Sequence, residues 1–197
     1  MERRKFLKGA AVAGTGAALA TPAVVNAQGA KTLTIVSTWP RDFPGLGLSA
    51  QRLAERITQI SGGALRTEYF AAGERVGAFD VFDEVASGNS QAYIAADYYW
   101  GGKHPGFNYF TSVPFGMTTP EWNAWIKFKG GQELWDEIYD QFGVKGFLSG
   151  NTGTQAGGWF REELTSVDSL KGVRFRTPGL GGRVWEKLGA TVTNLAA

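Results

Sequence analysis

No cysteine occurs in the 197 residues, and histidine occurs once, at His104. The first absence excludes disulfides, thiolate metal ligands and a thiol nucleophile, and it leaves no cysteine to carry a lipid. The second excludes a metal site built on a histidine pair and restricts any Ser-His-Asp triad to a residue in a loop rich in glycine and proline. No serine stands in a Gly-x-Ser-x-Gly elbow, and no Gly-Lys-Ser/Thr phosphate loop is present. His104 therefore reads as a solvated or structural loop residue. Acidic pairs exist, Asp80 with Glu84 and Glu162 with Glu163, but nothing in their spacing sets them apart from surface acids.

An excess of positive charge is also missing once the first residues are set aside. Arg3, Arg4, Lys5 and Lys8 precede an uncharged stretch from Gly9 to Val25, which closes on Val25-Asn26-Ala27. These are the basic, apolar and cleavage regions of a secretory leader. The segment Arg3-Arg4-Lys5-Phe6-Leu7-Lys8 narrows the reading to a twin-arginine export signal over residues 1–27. The leader holds four of the twenty basic residues and one of the eighteen acidic ones, so sixteen bases face seventeen acids in the remainder. A nucleic-acid partner is thereby excluded, and the mature protein is expected in the periplasm. No second long apolar run follows.

What is present is an alternation of strand and helix patterns. Residues 32–38, 65–70, 91–96, 144–148, 173–177 and 191–195 are predicted strands. Residues 46–61, 77–87, the stretch from Pro120 past Gly130-Gly131, and 182–188 are predicted helical. This order predicts an α/β fold with a mostly parallel sheet. Ser, Gly, Asn and Thr cluster at 149–157, where a domain change is predicted. The chain closes on Thr193 to Ala197, straight after a predicted strand, and reads as one that stops early.

Gly45-Leu46-Gly47-Leu48-Ser49-Ala50 fits a Gly-x-Gly-x-x-Ala dinucleotide pattern. In that motif the glycines turn directly off the strand, so that the pyrophosphate meets the helix N-terminus. Here Trp39-Pro40-Arg41-Asp42-Phe43-Pro44 intervenes, which argues against nucleotide binding. An exported cofactor-dependent oxidoreductase is the second reading.

The first reading rests on polar and aromatic residues beyond predicted strand ends, where open α/β sheets bind ligands. Asp97-Tyr98-Tyr99-Trp100 follows one strand, Asn151 to Gln155 another, and Arg176-Thr177-Pro178-Gly179 a third. Strand alternation puts Val173 and Phe175 on one face and Arg174 and Arg176 on the other. At the strand end, the Arg176 guanidinium can grip a carboxylate through two parallel hydrogen bonds, or it is a plain surface arginine. Gln155 and Asn151 both donate and accept, which suits a polar ligand or a cation. Tyr98 and Trp100 can wall an apolar ligand body or pack in the core.

The motifs Tyr98 to Pro105, Ser112-Val-Pro-Phe-Gly116, Gly131 to Trp135, Gly150 to Gln155, Gly158-Trp-Phe160 and Leu170 to Gly182 together resemble the periplasmic solute-binding proteins of TRAP transporters, in the branch that binds 2-oxo acids and similar monocarboxylates. The resemblance implies a two-lobed architecture like that of periplasmic binding proteins. Residues 28–150 would form the first lobe, and 151–197 the start of a second lobe that is incomplete here. It implies a receptor without catalysis that delivers a small organic acid to membrane permease subunits driven by sodium. In the family pattern the arginine maps to Arg176 as carboxylate clamp. Gln155 maps to the polar residue that holds ligand and a sodium ion, Asn151 stands beside it, and Tyr98 and Trp100 line the cleft. No organic cofactor is implied, and a homodimer is compatible with the resemblance.

Overall fold

The computed structural model describes residues 29–195. The leader assigned to 1–27 lies outside the described residues. Three strands form one sheet in the order β2-β1-β3, with β1 Lys31–Ser37, β2 Leu65–Phe70 and β3 Ala92–Ile94. Both pairings are parallel, and Ile35 lies opposite Tyr69 on one side and Ala92 on the other. The central position explains why Thr34, Ile35, Val36 and Ser37 are buried in succession rather than alternately. A parallel strand with both faces covered has no solvent side. Gln91 extends the short β3 pairing, because its side-chain oxygen accepts from Thr34 N–H at 2.9 Å while its own N–H donates to the Thr34 carbonyl.

The pleat sends Ile35 and Val36 to opposite faces and so divides the core in two. Ile35 packs with Trp39, Ile94, and Ala50 and Ala54 of helix α1 (Leu46–Ile60). Ala50 and Ala54 are one turn apart, and their small side chains let the helix lie close on the sheet. The helix ends at Gly62 and Gly63, both with positive φ, at the place the sequence predicts. Val36 packs with Val81 and Phe82 of α2 (Val81–Ala86), with Trp100 and Phe107, and with Trp135 and Tyr139. Burying a ring such as Phe82 or Phe107 stabilises the fold by ~2–3 kcal/mol.

Helix α3 (Thr119–Phe128) begins with Pro120 in its first turn, and the Glu121 carboxylate accepts from both Thr118 N–H and the Thr118 hydroxyl. That arrangement satisfies an orphan donor and fixes the helix start. Helix α4 (Gly131–Asp140) follows through Gly130, at φ 82°. Gly131 touches Trp125, whose Cδ2 would lie 2.8 Å from an added Cβ. The second sheet pairs β4 (Arg174–Arg176) with β5 (Thr191–Thr193) in parallel, across helix α5 (Gly179–Lys187). Phe175 of β4 packs tilted against Trp185 and stacks on Phe160, with ring centroids 4.3 and 5.2 Å away. The fold is therefore α/β with parallel sheets, as the alternation predicts.

Three local expectations are corrected. No strand forms at 144–148: Val144 N–H donates to the Tyr139 carbonyl, and the Gly146 carbonyl accepts from Gln132 Nε2 at 3.0 Å. Backbone groups that a ladder would need are taken by α4 and its end. The helix predicted over 77–87 is confined to Val81–Ala86, because the Phe79 carbonyl accepts from Trp100 Nε1 instead. Helix α5 starts at Gly179, three residues before the predicted start, directly after Pro178.

Candidate functional site

A wide cleft of about 2130 Å³ is lined by Tyr98, Asn151, Gln155, Arg176 and Gly179. It thus brings together four of the five residues singled out in the sequence. Arg176 is exposed at the end of β4, with Arg174 on the same face and Phe175 turned inward. Its Nε donates to the Leu195 carbonyl at 2.9 Å, and its Nη2 donates to the same oxygen. The guanidinium thus already turns two donors onto one acceptor.

Tyr98 is half-buried on a turn of 3-10 helix, Asp97–Trp100. Burial raises its phenol, and the positive charge of Arg176 pulls the other way. The two groups therefore stand within electrostatic reach of each other. Gly179 closes on Tyr98 from α5: a Cβ there would lie 3.1 Å from Tyr98 Cβ, and its φ of +66° is one that side chains rarely adopt.

Asn151 and Gln155 lie on the segment between the two sheets, both exposed. Asn151 Oδ1 accepts from Gly153 N–H at 2.6 Å and from the Thr119 hydroxyl at 3.0 Å, which ties the segment to α3. Gln155 Nε2 donates to the Thr152 hydroxyl at 2.7 Å. That bond orients the amide and leaves Gln155 Oε1 as a hard oxygen donor with no hydrogen bond among the described residues. Such an oxygen suits an alkali or alkaline-earth cation. No cluster of three acidic or histidine side chains occurs among the described residues, so a cation here would be held by neutral oxygens and by its counter-anion.

Trp100 is placed differently from its expected position. It is 5 % exposed, packs against Phe82 and Tyr93, and donates Nε1 to the Phe79 carbonyl at 3.0 Å. It belongs to the core and does not line the cleft. A 3-10 turn has three residues per turn, so consecutive side chains diverge and a run of aromatics cannot all face one way.

The sequence does not foresee the role of Asp97, which is buried. Trp135 Nε1 donates to its Oδ2 at 2.7 Å and the Tyr139 hydroxyl to its Oδ1 at 2.9 Å. Burial pushes the carboxyl up to about 7, although both donors act to lower it. The one available signal is an acid directly before three aromatics at a strand end.

His104 caps a turn, its Nδ1 accepting from Gly106 N–H at 3.1 Å. Glu84 accepts from Arg75 Nε at 2.9 Å and from the Ser90 hydroxyl at 3.1 Å, so it holds structure together. Gly47 of the dinucleotide-like pattern is closed off: an added Cβ would lie 2.6 Å from the Pro40 carbonyl and 2.9 Å from Phe43 Cβ. That glycine seats the Pro40–Phe43 excursion on α1 and leaves no room for a pyrophosphate.

Residues 35–197 match the model of the bacterial extracellular solute-binding proteins, family 7. A monocarboxylate 2-oxoacid-binding periplasmic protein from Nostoc sp. is 36 % identical over 198 residues, covering 98 % of this chain and 54 % of the relative. A TRAP periplasmic solute-binding protein from Pseudoalteromonas atlantica, solved with sodium and pyruvate, is 42 % identical with a TM-score of 0.82. The match covers 85 % of this chain and 51 % of that one. A TRAP protein from Colwellia psychrerythraea, solved with calcium and pyruvate, is 40 % identical with a TM-score of 0.81, over 85 % and 51 % of the two chains. The chain spans about half the length of the relatives it matches.

Proposed function

We propose, from the premise that this chain belongs to the bacterial extracellular solute-binding proteins of family 7, that it is the receptor part of a TRAP-type transporter and captures a small 2-oxo acid or related monocarboxylate. The observation that carries this reading is Arg176, a strand-end guanidinium that turns two donors onto one acceptor on the wall of the cleft shared with Tyr98. A carboxylate in place of the Leu195 carbonyl would receive the same two bonds, now charge-assisted.

In this proposal Arg176 clamps the carboxylate, Tyr98 walls the ligand body, and Asn151 and Gln155 hold its polar end. Gln155 Oε1 would also hold a sodium ion, whose charge would offset that of the bound anion. The sodium or calcium bound with pyruvate in the two similar structures supports that part. No catalytic step belongs to this function. Export by the twin-arginine leader at 1–27, lobes at 28–150 and 151–197, and delivery to membrane permease subunits complete the proposal.

The test is calorimetry with pyruvate on the full-length protein, with and without sodium, beside Arg176→Ala. Loss of the clamp should cost about 2–4 kcal/mol, or a roughly thirty- to thousandfold rise in Kd. An unchanged Kd would remove Arg176 from the role.

A further inference from the structure

Asp97 is a buried acid that the reading above leaves without a task. It opens the turn Asp97–Trp100, and its carboxyl is held by two side chains of α4. The groups that face it are Trp135 and Tyr139 from α4 and Tyr93 from β3, whose hydroxyl lies 2.6 Å from that of Tyr139. None of them is a cation or a second acid. The far end of the same turn is pinned by the Trp100 bond to the Phe79 carbonyl. Tyr98 lies between these two anchors, pressed from outside by Gly179.

We propose that Asp97 is a positioning residue: gripped by Trp135 and Tyr139, it fixes the turn on which Tyr98 meets the ligand. The inference rests on the reading of the cleft as a carboxylate site.

The hydrogen bonds give this anchor two complete arrangements. Trp135 Nε1 can only donate, so Oδ2 is an acceptor at all times and a proton on the carboxyl must sit at Oδ1. Oδ1 accepts from Tyr139 while the carboxyl is ionised. When it takes a proton from solvent, Oδ1 becomes the donor and the Tyr139 hydroxyl the acceptor. Tyr139 then turns its own hydrogen to the Tyr93 hydroxyl, which is already in range. The oxygens of Asp97, Tyr139 and Tyr93 keep a hydrogen-bond partner in either arrangement, and in the protonated one the half-buried Tyr93 hydroxyl gives up the acceptor it had in Tyr139. With the carboxyl raised to about 7 by burial, both arrangements are populated near neutral pH. Without sodium to offset its charge, a ligand carboxylate beside Tyr98 adds negative charge and favours the protonated one. Binding therefore draws a proton onto Asp97 and weakens as pH rises past neutrality.

The test uses 19F NMR of full-length protein carrying 3-fluorotyrosine, with the Tyr98 signal assigned through Tyr98→Phe. Without ligand, that signal should titrate with a midpoint near neutrality and stay flat in Asp97→Asn between about pH 5.5 and about pH 8.5. A flat wild-type signal, or an unaltered titration in Asp97→Asn, overturns the inference. Should Asp97→Asn not fold, Tyr139→Phe replaces it and should move the midpoint upward, because a donor to the carboxylate is lost. In sodium-free buffer, the Kd for pyruvate should rise about tenfold across the same range in wild type and less than about twofold in Asp97→Asn, since one unit of linked shift is tenfold. A pH-independent wild-type Kd overturns the proton coupling. A titrating Tyr98 signal with no pyruvate binding at any pH supports the positioning role and sinks the carboxylate reading instead.

Discussion

Gly179 sits directly on Tyr98: at φ +66°, a Cβ on this glycine would come 3.1 Å from the tyrosine Cβ and 3.3 Å from its Cγ. The first helical residue after β4 is thereby in contact with the turn that follows β3. Two parts of the cleft, 81 positions apart in sequence, meet at a point that is tight for any side chain.

Gly179→Ala should lower stability by ~1 kcal/mol or more, through the strained φ and the displaced Tyr98 ring. Urea unfolding followed by circular dichroism measures this. A midpoint equal to that of the parent would show that the contact is slack. Ligand affinity should fall as well, since Tyr98 must move to admit the methyl group.

Trp100→Ala should cost about 3–5 kcal/mol, the loss expected for an aromatic removed from a core. Trp100→Phe, which keeps the ring volume in part but leaves the Phe79 carbonyl without its donor, should cost about 1–3 kcal/mol. If Trp100 instead lined the ligand, Trp100→Phe would change affinity and leave the unfolding midpoint in place. Unfolding and pyruvate calorimetry on one preparation separate the two outcomes.

The buried Asp97 carboxyl gives stability an unusual pH dependence. Its folded value, about 7, lies above the ordinary 3.8. The unfolded chain therefore releases this proton first as pH rises, and the native state binds more protons across that window. Stability from this group falls between about pH 4 and about pH 7 and is level above. Glu74, Glu84 and Asp136, held below the usual carboxylate range by Arg41, Arg75 and Lys145 respectively, lose their contribution only under more acid conditions. Asp97→Asn should therefore gain on wild type steadily from about pH 4 to about pH 7. Chemical denaturation at a series of pH values reads the difference, and a gap that does not vary with pH would contradict it.

Gln155→Ala should abolish any sodium dependence of pyruvate binding while leaving part of the sodium-independent affinity. Replacing sodium with a bulky organic cation during calorimetry tests this. A variant that still responds to sodium as the parent does would place the ion elsewhere.

The strands around the site were legible because β-branched runs and period-two alternation are local: Val36 and Ile35 on opposite faces, and Phe175 inward with Arg176 outward, follow from residue order alone. The glycine stops at Gly62 and Gly130 were legible for the same reason. Trp100 was not, because residue order within a 3-10 turn does not say which side chain points to the core. Nor was Asp97, whose partners lie 38 and 42 positions away on a helix. The stretch 144–148 has strand composition, but its Gly146 carbonyl is claimed by Gln132, a contact that no local pattern announces.

If Arg176 is the clamp proposed above, the two donors it gives to the Leu195 carbonyl would make ligand capture an exchange and not a filling of vacant sites. An incoming molecule would have to displace a neutral amide oxygen that is already tethered to the same chain. A neutral carbonyl or amide ligand would swap like for like and gain little. An anion gains the difference between a charge-assisted bond and an ordinary one, taken twice. The cleft would thus sort its solutes by charge before it sorts them by shape.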